Sequence, residues 1–171
     1  MSSSFLQKSG QLVRHALPFG ITVVFIGASV LVLPVPYLSG IAPMLGLVAV
    51  YYWAIYRPDL LRPFFVFWLG LLNDVLQMLP IGLSAILFLG LYQLVFSQRR
   101  LFVGQTFPIV WTGFALVALM ASLVQWFVLS LFEGQGLSVQ PVFLQFLLTV
   151  FLFPLPAWLL IHLQRAFLTQ E

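Results

Sequence analysis

One carboxyl group stands out as a candidate for chemistry. Asp74 lies deep in an apolar stretch of a chain that is 62% hydrophobic and only 6% charged. An intramembrane carboxylate is a functional candidate by default, because its burial in hydrocarbon is expensive. Gly70, Asn73, Asp74 and Gln77 follow i, i+3, i+4, i+7 spacing, so they share one face of a helix. That face must meet protein or water rather than lipid. Three roles are open to Asp74: a structural anchor hydrogen-bonded to its neighbours, the lining of a ligand or ion path, or a contact with another protein's membrane helix. No Lys or Arg lies within the same stretch to pair with it.

Other reactive side chains are sparse. The chain has no cysteine, which excludes disulfides, thiolate metal sites and cysteine nucleophiles. His15 and His162 fall at the ends of apolar segments, with only Asp59 at the same interface; solvated interfacial histidines are the ordinary reading. Ser84, Ser122 and Ser130 have no histidine base at their depth. A lone intramembrane Asp does not make a di-aspartyl pair. No phosphate loop occurs, and seven basic residues do not make a nucleic-acid footprint. The expectation is a non-enzymatic protein with no catalytic residues, metal, cofactor or nucleic-acid partner.

The elements that must position Asp74 are apolar helices. With so little charge, the natural solvent for the outer surface is hydrocarbon. Pro/Gly clusters and charges divide the 171 residues into one transmembrane domain with spans at about 16–33, 41–56, 60–79, 83–96, 107–131 and 141–163. The first run is too long for a signal-peptide core and lacks a persuasive cleavage site, so it reads as an uncleaved span. Pro58 is placed to open the third helix, and Pro154 with Pro156 should kink the sixth. The expected fold is all-α, a compact six-helix membrane bundle with both termini cytoplasmic.

The charges test this count independently. Lys8, Arg14, Arg57, Arg62, Arg99, Arg100 and Arg165 all fall on one side of such a bundle, and the opposite loops hold only Glu133. Trp53, Tyr56, Tyr92, Trp111 and Trp158 are expected at the cytoplasmic interface, and Tyr37 and Trp126 at the other. Small residues form two further stripes, Ala42, Gly46 and Ala49 leading to Trp53, and Ala115, Ala118 and Ser122 leading to Gln125. These are packing faces for neighbouring helices of the bundle or for a partner's helix. Gln145 and Thr149 form one more polar pair.

One stretch resembles a known family. Tyr51-Tyr52-Trp53, Arg57-Pro58, the run Phe67-Trp68-Leu69-Gly70-Leu71-Leu72-Asn73-Asp74 and the turn Leu79-Pro80-Ile81-Gly82-Leu83-Ser84-Ala85 are similar to the MreD family of bacterial rod shape-determining inner-membrane proteins. Gly70, Asp74 and Gly82 fit that pattern, and Phe153-Pro154-Leu155-Pro156 resembles the family's proline-containing last helix. The resemblance implies a scaffold of the cell-elongation machinery at the inner membrane. Its implied partners are MreC, a bitopic protein, and through it MreB and the RodA–transpeptidase pair that builds peptidoglycan, with membrane lipid around it. It also implies a distant likeness to the S-components of energy-coupling-factor transporters, six-helix bundles that bind small molecules. A transporter subunit with a vitamin-like ligand against Asn73, Asp74 and Gln77 is the alternative function.

Overall fold

The computed structural model describes residues 17–30, 41–133 and 138–168. Among them the chain is helical, with no β-strand. The helices are α1 (Leu17–Val30), α2 (Leu45–Tyr56), α3 (Pro63–Leu76), α4 (Leu83–Gln98), α5 (Phe107–Glu133), α6 (Val139–Leu152) and α7 (Pro154–Leu168). A single 3-10 turn, Arg99–Leu101, follows α4. The expected loop at 34–40, Tyr37, residues 134–137 of the expected 132–140 loop, and the terminal residues Lys8, Arg14 and His15 lie outside the described residues. Residues 132–133 extend α5, and 139–140 open α6.

At the centre stands α2. Every residue from Leu45 to Ile55 is buried, and only Tyr56 at its end is exposed. Around it pack Phe25 and Ile26 of α1, Phe88, Leu91 and Val95 of α4, Val110, Phe114 and Val117 of α5, and Phe153 and Leu160 of the α6–α7 region. Tyr51 is a focus of this core. Its ring meets those of Phe102, Phe114 and Phe153 at 5.3–6.2 Å, and its hydroxyl donates to the Val110 carbonyl at 2.9 Å.

Several boundaries differ from the expected ones, each for a local reason. α2 begins at Leu45 rather than Ile41, because residues 41–44, which include Pro43, are held by α6 instead of coiling. The Met44 amide donates to Thr149 Oγ1 at 3.1 Å, and Gln145 Nε2 donates to the Ala42 carbonyl at 2.8 Å. Helix α3 opens on Pro63, not near Pro58. Arg62 is extended (φ −71°, ψ 154°), as the residue before a proline prefers, and Pro63 takes the first helical position. The expected last span is two helices bent by 43° around Phe153, with Pro154 starting the second.

Two of the aromatics expected at an interface are core residues. Trp53 is fully buried and Tyr92 nearly so. Tyr56 and Trp158 are exposed, and half-buried Trp111 donates its indole N–H to the Val150 carbonyl at 3.0 Å. Tyr92 instead ties α4 to the α2–α3 loop, through a 3.3 Å bond from its hydroxyl to the Pro58 carbonyl.

Candidate functional site

The polar stripe on α3 meets the start of α4, and the meeting is built from the backbone outward. α3 closes in a left-handed turn. Met78 has φ 54°, and the Leu79 amide reaches back to the Asp74 carbonyl at 2.9 Å. This is the six-to-one bond of a Schellman motif, with methionine where glycine is usual. Pro80 and Ile81 carry the chain to Gly82, whose φ of 101° suits glycine and which precedes the first residue of α4.

Asp74 then does at α4 what its own carbonyl does for α3. Its carboxylate is fully buried. One oxygen accepts the Gly82 amide and the other the Ser84 amide, each at 2.8 Å. Gly82 caps α4 and Ser84 is its second residue, and backbone N–H groups at this end of a helix have no partner within it. The carboxylate therefore caps a helix from outside it, at the end where the helix dipole favours negative charge. Asn73 extends the network by donating from Nδ2 to Ser84 Oγ at 2.9 Å. Gln77 donates from Nε2 to Asn73 Oδ1 at 2.8 Å.

Gly70 makes the approach possible. A Cβ placed on it would stand 2.3 Å from the Ala85 Cα and 2.6 Å from the Ala85 nitrogen. The two backbones touch there, and any side chain larger than hydrogen would drive the helices apart. Close contact through small residues is how helices associate when no water is available to drive them together.

Every residue of the predicted face thus sits at this hairpin: Gly70 at the contact, Asn73 and Asp74 in the network, Gln77 beside it, Gly82 at the turn. Ser84 belongs with them as the acceptor from Asn73. Its sequence signal was its place two residues after Gly82, in the first turn of α4. Beside the network lies a crevice of about 10 Å³ lined in part by Asn73, Gln77, Ser84 and Gln125. That is about the space of one water molecule, far below a small-molecule site of roughly 300–1,000 Å³.

The small-residue stripes turn inward. A Cβ on Gly46 would meet Ile26 Cγ1 at 2.7 Å, and Ala49 and Trp53 are fully buried. On α5, Ala118, Ser122 and Gln125 are buried and Ala115 is half-buried, with Ser122 Oγ donating to the Ala118 carbonyl at 2.8 Å. His162 is exposed beside the Trp158 ring, and no metal-ligating cluster occurs among the described residues. Ser130 Oγ and Trp53 Nε1 are buried without a hydrogen-bond partner.

The outward surface has a different character. α5 has a 26-residue apolar stretch, Phe107–Phe132, with mean hydropathy 2.1 in its most apolar window, of which only 33% is buried. It is long and apolar enough to cross a membrane alone, and α6 with α7 qualifies together as a bent pair. α1 to α4 are shorter, at about 18–24 Å by a rise of 1.5 Å per residue. Comparison of the chain with protein-family models, with curated proteins and with solved structures returns no match.

Proposed function

We propose that this chain is a six-span inner-membrane protein with both termini cytoplasmic, and that it acts as a non-enzymatic scaffold of the rod-shape machinery, as its resemblance to the MreD family implies. The observation that carries the membrane reading is the exposure of α5. The core helix of a water-soluble protein is apolar because it is buried, whereas only a third of the most apolar part of α5 is buried. Leu116, Met120, Leu123 and Phe127 share that outward face, and Phe64, Trp68 and Val75 do the same on α3.

Short helices are compatible with this reading. α2 is enclosed by protein, so its non-helical approach through residues 41–44 needs no lipid-tolerant backbone; Thr149 and Gln145 satisfy it. Arg57, Arg62, Arg99 and Arg100 come together at one end of the bundle, because α3 and α4 form a hairpin and Tyr92 joins α4 to the 57–62 loop. With Asp74 engaged in the hairpin and only a water-sized crevice beside it, contacts with a bitopic partner such as MreC fall to the outward helix faces. The same crevice offers little to a vitamin-like ligand, so the transporter-subunit reading has less support.

Two measurements test the proposal. The chain lacks cysteine, so single cysteines at Ile81 and Gln105 report side without background. Ile81→Cys should label from outside intact cells and Gln105→Cys only after permeabilisation; labelling of both from one side removes the topology. Affinity purification from native membrane should recover a single-span partner with a periplasmic domain, and depletion should turn rod cells round. Recovery of a bound small molecule with no such partner overturns the scaffold reading.

A further inference from the structure

The two loops at the basic end of the bundle are built differently. In the 57–62 loop, Arg57 Nε lies 3.6 Å from Asp59 Oδ1, and Leu60 and Leu61 are folded into the protein. The loop neutralises part of its own charge and hides its apolar residues. In the 99–106 segment only Phe102 is tucked against the protein, and the charge is left open. Arg99 and Arg100 are exposed, and among the described residues no carboxylate pairs with either. The Arg99 guanidinium lies 5.1 Å from the centre of the Phe96 ring. Leu101, Val103 and Phe107 follow directly, each about half exposed or more.

A groove begins where this segment meets α5. It measures about 400 Å³ and is lined by Phe102, Pro108, Ile109, Thr112, Gly113 and Leu116. One wall is set by Gly113, which has no side chain. A Cβ there would lie 2.4 Å from Phe102 Cε1, so the glycine lets Phe102 fold against the helix and Tyr51. The one polar wall group, Thr112 Oγ1, is turned back to the Pro108 carbonyl at 2.8 Å. α5 starts at Phe107, which directs the positive end of its dipole to the same place.

From this arrangement we propose that the α4–α5 junction is a binding site for one anionic phospholipid of the cytoplasmic leaflet. The phosphate lies against the guanidinium groups of Arg99 and Arg100, and one acyl chain runs along α5 in the groove. Charge complementarity selects the headgroup, since planar guanidinium groups match phosphate oxygens and interfacial basic residues attract anionic lipid. The exposed Leu101, Val103 and Phe107 belong at the depth where headgroup meets acyl chain. The inference rests on the membrane reading above and adds a lipid class and a place to it.

The test is native mass spectrometry of the full chain in detergent, with phosphatidylglycerol or phosphatidylcholine added. Wild type should retain phosphatidylglycerol over phosphatidylcholine, and R99Q/R100Q should lower that retention about tenfold or more. R62Q, which removes one charge at the same end, should have a small effect. Thr112→Trp, which fills the groove without touching the arginines, should also release the lipid. Equal retention of the two lipids, or an R62Q loss as large as that of the double variant, overturns the site. Gel-filtration profiles matching wild type show that each variant is folded. Detergent phase partitioning separates the two failures: a chain found in the aqueous phase defeats the membrane reading itself, whereas a chain in the detergent phase without lipid preference defeats only this site.

Discussion

The two ends of α4 solve opposite problems. At its first turn, unpaired backbone amides are met by a carboxylate from the preceding helix, inside a contact so close that Gly70 and Ala85 touch through backbone. At its last turn, two arginines stand exposed with no acid to meet them, next to an apolar groove. The first end is closed on itself, and the second is open to something else. The contrast teaches that the buried carboxyl group is tied into backbone, while the exposed guanidinium groups have no acidic partner among the described residues. In an apolar environment a buried ionic group persists only when its hydrogen bonds are complete.

Substitutions at the two ends should therefore differ in kind. The largest effect is expected at Asp74. Asp74→Ala leaves the buried Ser84 amide and the part-buried Gly82 amide without acceptors and should lower stability by about 2–6 kcal/mol, at about 1–3 kcal/mol per unsatisfied group. Asp74→Asn keeps one acceptor and turns a donor toward the other amide, so it should fall between Asp74→Ala and wild type. Thermal unfolding in detergent, followed by gel filtration, reads both. A fully stable Asp74→Ala protein would erase the distinction between the ends.

Gly70→Val comes next. Its side chain would enter the Ala85 backbone, and separation of α3 from α4 should cost about 1–3 kcal/mol or more in the same assay. Because the strain lies in the backbone contact, combining it with Ala85→Gly should recover only part of the loss. Met78→Gly has the opposite sign. Met78 is exposed and left-handed at the end of α3, so glycine there should raise stability by about 0.5–1 kcal/mol.

The smallest effect on stability belongs to the other end. R99Q/R100Q should leave the unfolding midpoint of delipidated protein unchanged, since neither side chain is held by an ion pair among the described residues. Added phosphatidylglycerol should then raise the midpoint of wild type but not of this variant. A loss of stability without lipid would mean that the open end is braced after all.

Much of the α3–α4 hairpin was legible beforehand, because Gly70, Asn73, Asp74 and Gln77 repeat at helical spacing in an otherwise apolar segment. Spacing places side chains on one face but does not name their partners. The donors to the Asp74 carboxyl group are backbone amides at the start of the next helix, and backbone carries no sequence signal. The same holds for Thr149, which receives an amide 105 positions away. Boundaries were misread where such contacts replace helix: at 41–44, where α6 holds the chain, and before Pro63, where the proline's own geometry decides.

The amino-acid sequence determined by itself a helical, strongly apolar chain without thiols, with polar residues recurring at helical spacing on α3. Those properties follow from composition and periodicity, which act locally. Tertiary structure alone decided which apolar helix became the core. α2 and α5 are both strongly apolar, yet one is enclosed and the other is largely bare. Apolarity alone cannot sort two such helices, and close packing at Gly46 and Ala49 with the hydrogen-bonded Tyr51 places α2 inside.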